Sequence, residues 1–369
     1  MRSLFYLLPL VVYLPVGIYF YFWFQRFFSL FPIRQKRIRK ALSLIVVLCM
    51  VAAGWRVYGF GAVIVLYFLA CCLLMEIAGF IIRRFVKSEN TLKRWDFLYR
   101  SGIISVAILC TALIYGYFNI HNIVRTEYQI ETSKDLGGGK KFVQISDLHM
   151  GTTLGVDELR EICDAVSEEN ADMLLLTGDI FDEHTTREEM EAAAELLGSV
   201  DTTYGVFYVY GNHDYNHYRS TAYYTASELR AELERVGVHV LEDETVPAGD
   251  GILVAGRRDA SMREVRAELS SLIPEGSEDK FLLVLDHQPV ELEENAALRV
   301  DLQLSGHTHA GQIWPTGQLS EAFGIVEKNY GLEKIGEFQA IVSSGIAGWG
   351  YPVRTGGHSE YVVISVEEK

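Results

Sequence analysis

Long apolar runs fill the first third of the chain, and short polar stretches separate them. A helix needs about 20 mostly apolar residues to cross a bilayer. The pattern therefore predicts an all-α membrane domain over residues 1–120, with four transmembrane helices at about 3–25, 39–57, 60–82 and 101–120. A cleaved signal peptide is the alternative for the first run. That run is long for a signal peptide, and no small-residue cleavage site follows it.

A different pattern begins after residue 120. Residues 121–140 are predicted to be a linker that includes an initial strand, because polar and apolar residues alternate over 126–132. Short apolar runs then lead into polar clusters, and such runs are typical of buried strands. Amphipathic stretches at about 156–169, 185–198 and 224–236 predict helices between the early strands. The sequence thus predicts an α/β domain over residues 141–369.

Charge divides at the same boundary. The net charge is −15, yet residues 1–120 carry 14 of the 33 Lys and Arg and only 3 of the 48 Asp and Glu. The basic residues cluster at 26–40 and 83–100, and basic loops stay cytoplasmic. The chain is therefore predicted to be a multi-pass protein of the cell membrane with its N-terminus outside, which places the acidic domain outside the cytoplasm. Nucleic-acid binding is not expected, because there is no basic domain beyond the membrane flanks.

One carboxylate, Glu76, lies inside a predicted span. An ionisable residue at such a position is a candidate for function. Because Glu76 is close to the basic end of its span, we expect it to pair with a nearby arginine.

Each predicted strand at 142–145, 173–176, 206–210, 281–285 and 302–304 ends in polar side chains. The carboxyl ends of parallel strands meet at one edge of a sheet, where sites are built. Nitrogen and oxygen donors without sulfur suit manganese, iron or zinc. The donors outnumber what one tetrahedral ion can use, which indicates two ions that share a bridging carboxylate. The donor types are two carboxylates, one amide oxygen and several imidazoles, from Asp147 and Asp179, Asn212, and His149, His213, His287, His307 and His309.

The motifs DxH, GDxxD, GNHD, a lone His and GHTH, in this order, resemble the calcineurin-like metallophosphoesterase superfamily. The longer forms ISDLHMG, LDHQP and SGHTHAGQIWP resemble its membrane-associated bacterial branch, which includes YkuE and YaeI. The resemblance implies a four-layer α/β/β/α sandwich and two divalent or trivalent ions, manganese first, with iron or zinc as alternatives. It also implies the ligands: Asp147, His149 and His309 for one ion, Asn212, His287 and His307 for the other, and Asp179 bridging both.

The same resemblance implies two catalytic residues. His213 is expected over the substrate phosphate, with Asp214 accepting its hydrogen bond and fixing its orientation. Trp314 and Arg354 are candidate substrate contacts, with Arg354 on the phosphate. The alternative for both is a structural loop packed by aromatic side chains.

The predicted function is a membrane-anchored phosphoesterase. It would hydrolyse a phosphomonoester, phosphodiester or pyrophosphate bond with a metal-bridging hydroxide as nucleophile. Its partners would be the lipid bilayer and a phosphate-ester substrate, with a lipid-linked or cell-envelope compound as the candidate. The alternative is a catalytically silent metal-binding scaffold or a regulator of the membrane half.

Overall fold

The computed structural model describes residues 2–56, 59–249, 251–262 and 264–369, without the side chains of residues 2–8. The chain divides into two compact units, one up to Gly116 and one from Tyr117 to Lys369. The helices of the N-terminal part are α1 (Arg2–Phe28), α2 (Lys36–Gly54), α3 (Phe60–Phe85), α4 (Glu89–Ser101) and α5 (Ile103–Ile120).

Four of these helices coincide with the predicted spans, and α4 is an additional one. It lies in the stretch predicted as a basic loop, and Ser88 caps it by accepting a hydrogen bond from the backbone N–H of Thr91 at 3.4 Å. Among the described helices, α3 and α5 are long and apolar enough to cross a bilayer. Length and composition thus support two of the four predicted spans.

An aromatic core holds α1 against α3. The Phe20 and Phe68 rings stack with centroids 5.4 Å apart, and Val47 from α2 is buried in the same cluster. Beside this core, Arg26 from α1 lies 2.8 Å from the Glu76 carboxylate in α3. The prediction that Glu76 pairs with an arginine is confirmed. The pair links two helices that are distant in sequence.

The described residues of the second unit form twelve strands and six short α-helices. Its helices are α6 (Val156–Glu168), α7 (Arg187–Gly198), α8 (Ala226–Arg235), α9 (Leu269–Leu272), α10 (Leu292–Ala297) and α11 (Thr316–Ala322). Its strands are β1 (Ile123–Thr132), β2 (Lys140–Ile145), β3 (Met173–Thr177), β4 (Val206–Val209), β5 (His239–Leu241), β6 (Glu244–Pro247), β7 (Ile252–Gly256), β8 (Phe281–Leu285), β9 (Leu302–Ser305), β10 (Gly331–Ile335), β11 (Phe338–Val342) and β12 (Ser359–Glu368).

The strands form two six-stranded mixed sheets. The first has the order β1-β12-β2-β3-β4-β5 and the second the order β10-β11-β9-β8-β7-β6. Strands β2 to β5 are parallel, as are β7, β8, β9 and β11. The predicted initial strand is confirmed as β1, which pairs in parallel with β12. The early strands and the three amphipathic helices also form where the sequence predicts them.

Three apolar cores define the layers. The core between the sheets includes Phe142 and Phe207 from the first sheet and Phe281 from the second. The outer face of the first sheet packs against α6, α7 and α8, which bury side chains such as Leu159. The outer face of the second sheet packs against α9 and α10, where Leu292 is buried. The unit is a two-sheet α/β sandwich with helices on both outer faces.

Candidate metal centre

Strands from both sheets deliver donor side chains to one edge of the sandwich. In the described part of the chain, three groups of three side chains bring their donor atoms within 4.8 Å of one another. The first group is Asp147, His149 and His309, the second is Asp179, His287 and His307, and the third is Asp182, Glu183 and His213. His309 and His307 are the least buried members of the first two groups, and the third group is buried.

The Asp179 carboxylate lies between the first two groups. Its Oδ2 is 3.2 Å from Nε2 of His287 in its own group and 3.8 Å from Nε2 of His149 in the other. Within the first group, Nε2 of His309 lies 3.4 Å from Oδ1 of Asp147. This placement suits a carboxylate shared by two ions.

In three of the imidazoles a hydrogen-bonding partner holds Nδ1, the ring nitrogen that points away from the centre of the site. Nδ1 of His287 lies 2.9 Å from the Thr177 carbonyl oxygen, and Nδ1 of His149 lies 3.3 Å from Oδ2 of Asp182. Nδ1 of His309 likewise lies 3.1 Å from the carbonyl oxygen of residue 347. Such partners fix ring orientation and tautomer, and they leave each Nε2 facing the centre of the site.

The backbone at the donors adopts left-handed conformations. Such φ values cost energy for residues other than glycine and persist where the surrounding structure enforces them. Their clustering here indicates a site that the fold holds in shape. The values are +52° at Asp147, +44° at His149, +51° at Asp179, +70° at His307 and +50° at His309.

Glycines next to the donors allow the close approach. A β-carbon on Gly211 would lie 2.2 Å from Oδ1 of Asp179, and one on Gly306 would lie 2.2 Å from Oδ2 of Asp147. Both distances are far inside van der Waals contact. The glycines of GNHD and GHTH are therefore required by the carboxylates packed against them.

The donor set fits two metal ions. Oδ1 of Asn212 is buried, and no hydrogen-bond donor reaches it in the described part of the chain. A buried amide oxygen without a partner is costly, and a cation would satisfy it. Burial lowers the pKa of His309 to about 3, so this imidazole is neutral and able to ligate. Burial also acts to lower the pKa of His287, but neighbouring Asp179 raises it well above the usual value. A proton therefore competes with a cation at His287.

His213 is paired differently from the prediction. Its Nδ1 lies 2.9 Å from Oε2 and 3.1 Å from Oε1 of Glu183, a residue that sequence reasoning missed. Burial acts to lower the pKa of His213, but the hydrogen bond with Glu183 and the nearby Asp179 raise it to about 9. The imidazole is therefore disposed to donate a proton.

The prediction that Asp214 accepts the His213 hydrogen bond is corrected. Asp214 is fully buried and accepts backbone N–H groups instead, from Asp179 and Gly211 at 2.7 Å and from Phe181 at 2.8 Å. Burial and nearby Asp179 raise the pKa of Asp214 to about 7. Asp214 thus ties together the two loops that carry Asp179 and His213.

The prediction that Arg354 contacts the phosphate is also corrected. Arg354 is fully buried, and its guanidinium donates to the carbonyl oxygens of Ser344 at 2.8 Å, His309 at 3.1 Å and Ala347 at 2.5 Å. It therefore holds the loop beneath the site, as the structural alternative proposed. Trp314 is 59% exposed, and its role as a substrate contact stays a prediction.

An open cleft of about 430 Å³ lies beside the site. The loop after β2, the loop after β3 and the segment that follows β11 form its walls. Trp349 from the last of these segments packs its ring 5.2 Å from the His213 ring. The cleft therefore opens next to the imidazole.

Comparison with known proteins identifies the class. Residues 140–311 match the family described as calcineurin-like phosphoesterase. The chain therefore contains a calcineurin-like metallophosphoesterase domain, as the motif series predicted. Such a domain belongs to a metal-dependent hydrolase that acts on phosphate esters with two divalent ions.

The similarity to several relatives covers more residues than the family match over residues 140–311 does. A transmembrane protein with metallophosphoesterase domain from Danio rerio is 28% identical over 332 residues, which are 83% of this chain and 71% of the relative. A metallophosphoesterase of Helicobacter pylori is 31% identical over 236 residues, 62% of this chain and 60% of the relative. The metallophosphoesterase YkuE of Bacillus subtilis is 28% identical over 283 residues, 72% of this chain and 94% of YkuE.

Proposed function

We propose that this protein is a membrane-anchored phosphoesterase that hydrolyses a phosphomonoester, phosphodiester or pyrophosphate bond outside the cytoplasm. Its candidate substrate is lipid-linked or part of the cell envelope, because the site is tethered to the membrane. The observation that carries the activity is the convergence of two donor groups on the Asp179 carboxylate.

We assign the ions, with manganese first and iron or zinc as alternatives, to the predicted ligands. Asp147, His149 and His309 would hold one ion, Asn212, His287 and His307 would hold the other, and Asp179 would contribute to both. Bound there, two divalent ions would stabilise negative charge on the phosphoryl group and activate a water molecule.

The chain's own residues supply the remaining chemistry. His213 lies at the rim of the donor groups, where its backbone N–H donates to Oδ1 of Asp179 at 2.8 Å. Its imidazole would donate a proton to the leaving oxygen as the ester bond breaks. Glu183 keeps the ring oriented, and Asp214 keeps the loop in place.

Exposed apolar side chains on α1 and α2 are the support for proposing four spans, beyond the two that length and composition give. Soluble proteins rarely expose large contiguous apolar patches. In the described part of α1, Val11 is 69% exposed and Leu14 is 61% exposed, and in α2 Leu48 is 58% exposed. These helices therefore carry apolar faces suited to lipid, as α3 and α5 do. The zebrafish relative is also named as a transmembrane protein.

Hydrolysis by the full chain in detergent tests the activity. Phosphate release from a phosphomonoester, a phosphodiester and a pyrophosphate would be measured with Mn²⁺, Zn²⁺ or EDTA. We expect turnover that needs metal, is lost in Asp179→Asn and is kept in Asp157→Asn, which changes an exposed carboxylate of α6. Stoichiometric metal binding without hydrolysis of any ester would favour a silent scaffold.

Cysteine labelling tests the orientation. In intact cells a membrane-impermeant maleimide should label Glu275→Cys, in an exposed loop of the domain. It should label Lys93→Cys, in the basic stretch, only after permeabilisation. The reverse pattern would overturn the proposed topology.

A further inference from the structure

The cleft beside the metal centre has aromatic walls next to His213. Trp349, Tyr351 and Pro352 line one side, and the loop that carries Asp182 and His184 lines the other. The Trp349 and His213 rings have centroids 5.2 Å apart and planes inclined by 44°. The backbone N–H of His213 donates to Oδ1 of Asp179 at 2.8 Å, so the cleft adjoins the donor groups and can hold the part of the ester that extends beyond the phosphate.

The aromatic wall is held in place by one side chain, Gln312. Its Nε2 donates to the carbonyl oxygens of Tyr351 and Val353, each at 3.1 Å, and its Oε1 accepts from the backbone N–H of Trp349 at 2.9 Å. A β-carbon on Gly348 would lie 2.6 Å from Nε2 of Gln312, so the segment approaches this amide closely. The wall is thus pre-organised, which lowers the cost of ordering it on binding.

Among the described residues that line the cleft, only His184 could carry a positive charge, and only when it is protonated. None of the described side chains that line the cleft is Lys or Arg, and a buried carboxylate, Asp182, belongs to it. A leaving group with a further phosphate or carboxylate would lose hydration there without gaining an ion pair. A ring without charge would instead stack on the aromatic faces.

We propose that this cleft binds the leaving group, and that the preferred substrate is a phosphate ester of an uncharged, ring-bearing alcohol. The inference rests on the proposed phosphoesterase activity. It excludes long polyphosphate chains as the preferred leaving group.

Binding of phosphonates tests this without turnover. The full chain in detergent with Mn²⁺ would be titrated with benzylphosphonate, ethylphosphonate and 2-carboxyethylphosphonate by calorimetry. We expect benzylphosphonate to bind about tenfold more tightly than ethylphosphonate, as one or two aromatic contacts allow, and the carboxylate to bind most weakly. Trp349→Ala should abolish the preference for the benzyl compound, whereas Trp349→Phe should keep most of it.

The control is Phe323→Ala, which removes another exposed aromatic ring and should keep the preference. Equal binding of the benzyl and ethyl compounds by the natural protein would overturn the proposal, as would tighter binding of the carboxylate. A preference that depends on Trp349 in a protein that hydrolyses no ester would uphold the ring-binding cleft and refute the phosphoesterase.

Discussion

Removing the Glu183 carboxylate tests what orients the proposed proton donor. Glu183 is only 7% exposed, and both of its oxygens lie within 3.1 Å of Nδ1 of His213. Glu183→Ala removes the partner, and Glu183→Gln keeps its size and one acceptor while removing the charge. The other nitrogen of the imidazole would then lose its fixed direction toward the substrate.

The size of the effect follows from the kind of hydrogen bond. A hydrogen bond to a charged group contributes about 1.5–3 kcal/mol. About 1.4 kcal/mol corresponds to a tenfold change in rate. If the whole contribution is used to orient the ring, kcat should fall about 10- to 150-fold in Glu183→Ala. The kcat of Glu183→Gln should lie between those of Glu183→Ala and the natural protein, and KM should change little in both variants.

Three measurements on the same preparations separate orientation from collapse of the site. They are kcat and KM from phosphate release, bound metal from elemental analysis, and thermal unfolding. Metal content should be unchanged, because Glu183 belongs with Asp182 and His213 to a third group and not to the two groups that meet at Asp179. Glu188→Ala, which removes an exposed carboxylate of α7, is the matched control. An unchanged kcat in Glu183→Ala, or a loss of metal in that variant, would refute the assigned role.

Three further predictions concern the scaffold. Gly306→Ala should bind Mn²⁺ at least about tenfold more weakly in equilibrium dialysis, because the added β-carbon would lie 1.8 Å from the Ser146 hydroxyl oxygen. Gly139→Ala is the control and should bind Mn²⁺ normally, because its β-carbon would meet nothing closer than 3.6 Å. Arg354→Met should lower the free energy of unfolding by about 2–5 kcal/mol in urea titrations, because buried carbonyl groups lose their hydrogen-bond donors. A changed KM with normal stability would instead show that Arg354 contacts the substrate phosphate. Burial acts to raise the pKa of Glu360, but hydrogen bonds hold it below the ordinary 4.5. The Glu360 carboxylate should therefore stabilise the folded protein above pH 4.5, and this stabilisation should be lost as the pH falls through the lowered pKa of the folded state. Glu360→Gln should flatten this acid dependence of the free energy of unfolding.

The strands that carry the site could be predicted because each is a buried apolar run that ends in a polar motif. The runs at 173–176 and 281–285 became β3 and β8 with nearly the same bounds. The edge strands β5, β6 and β10 were not predicted and lack this pattern, whereas the edge strand β1 was predicted from its alternation. In β10, for example, four of five residues are partly buried and one is exposed, so its pairing depends on β11.

The metal-donor residues of the site could be predicted from the sequence, but the hydrogen-bonding partners of His213 and Arg354 could not. Glu183 directly follows the GDxxD motif, and this position was the only indication of its role. Pairing of His213 with Glu183 depends on how the loop turns after Asp182, which one-dimensional spacing does not determine. Arg354 is a similar case, because the sequence does not show whether a cation beside an aromatic segment points into the cleft or beneath it.

The motif spacing itself has a physical explanation in the backbone. Donors such as Asp147 and His307 hold left-handed conformations, each costing about 1–3 kcal/mol. Glycine would remove that cost, yet it would also remove the donor, so these positions keep their side chains. The adjacent Gly306 has the opposite requirement, since any side chain would strike the Asp147 carboxylate. Glycine and donor residues therefore alternate in these motifs, because some positions need a side chain and the neighbouring positions have no room for one. Because folding of the sandwich already fixes these strained loops before a cation binds, the binding of the cation does not have to order them.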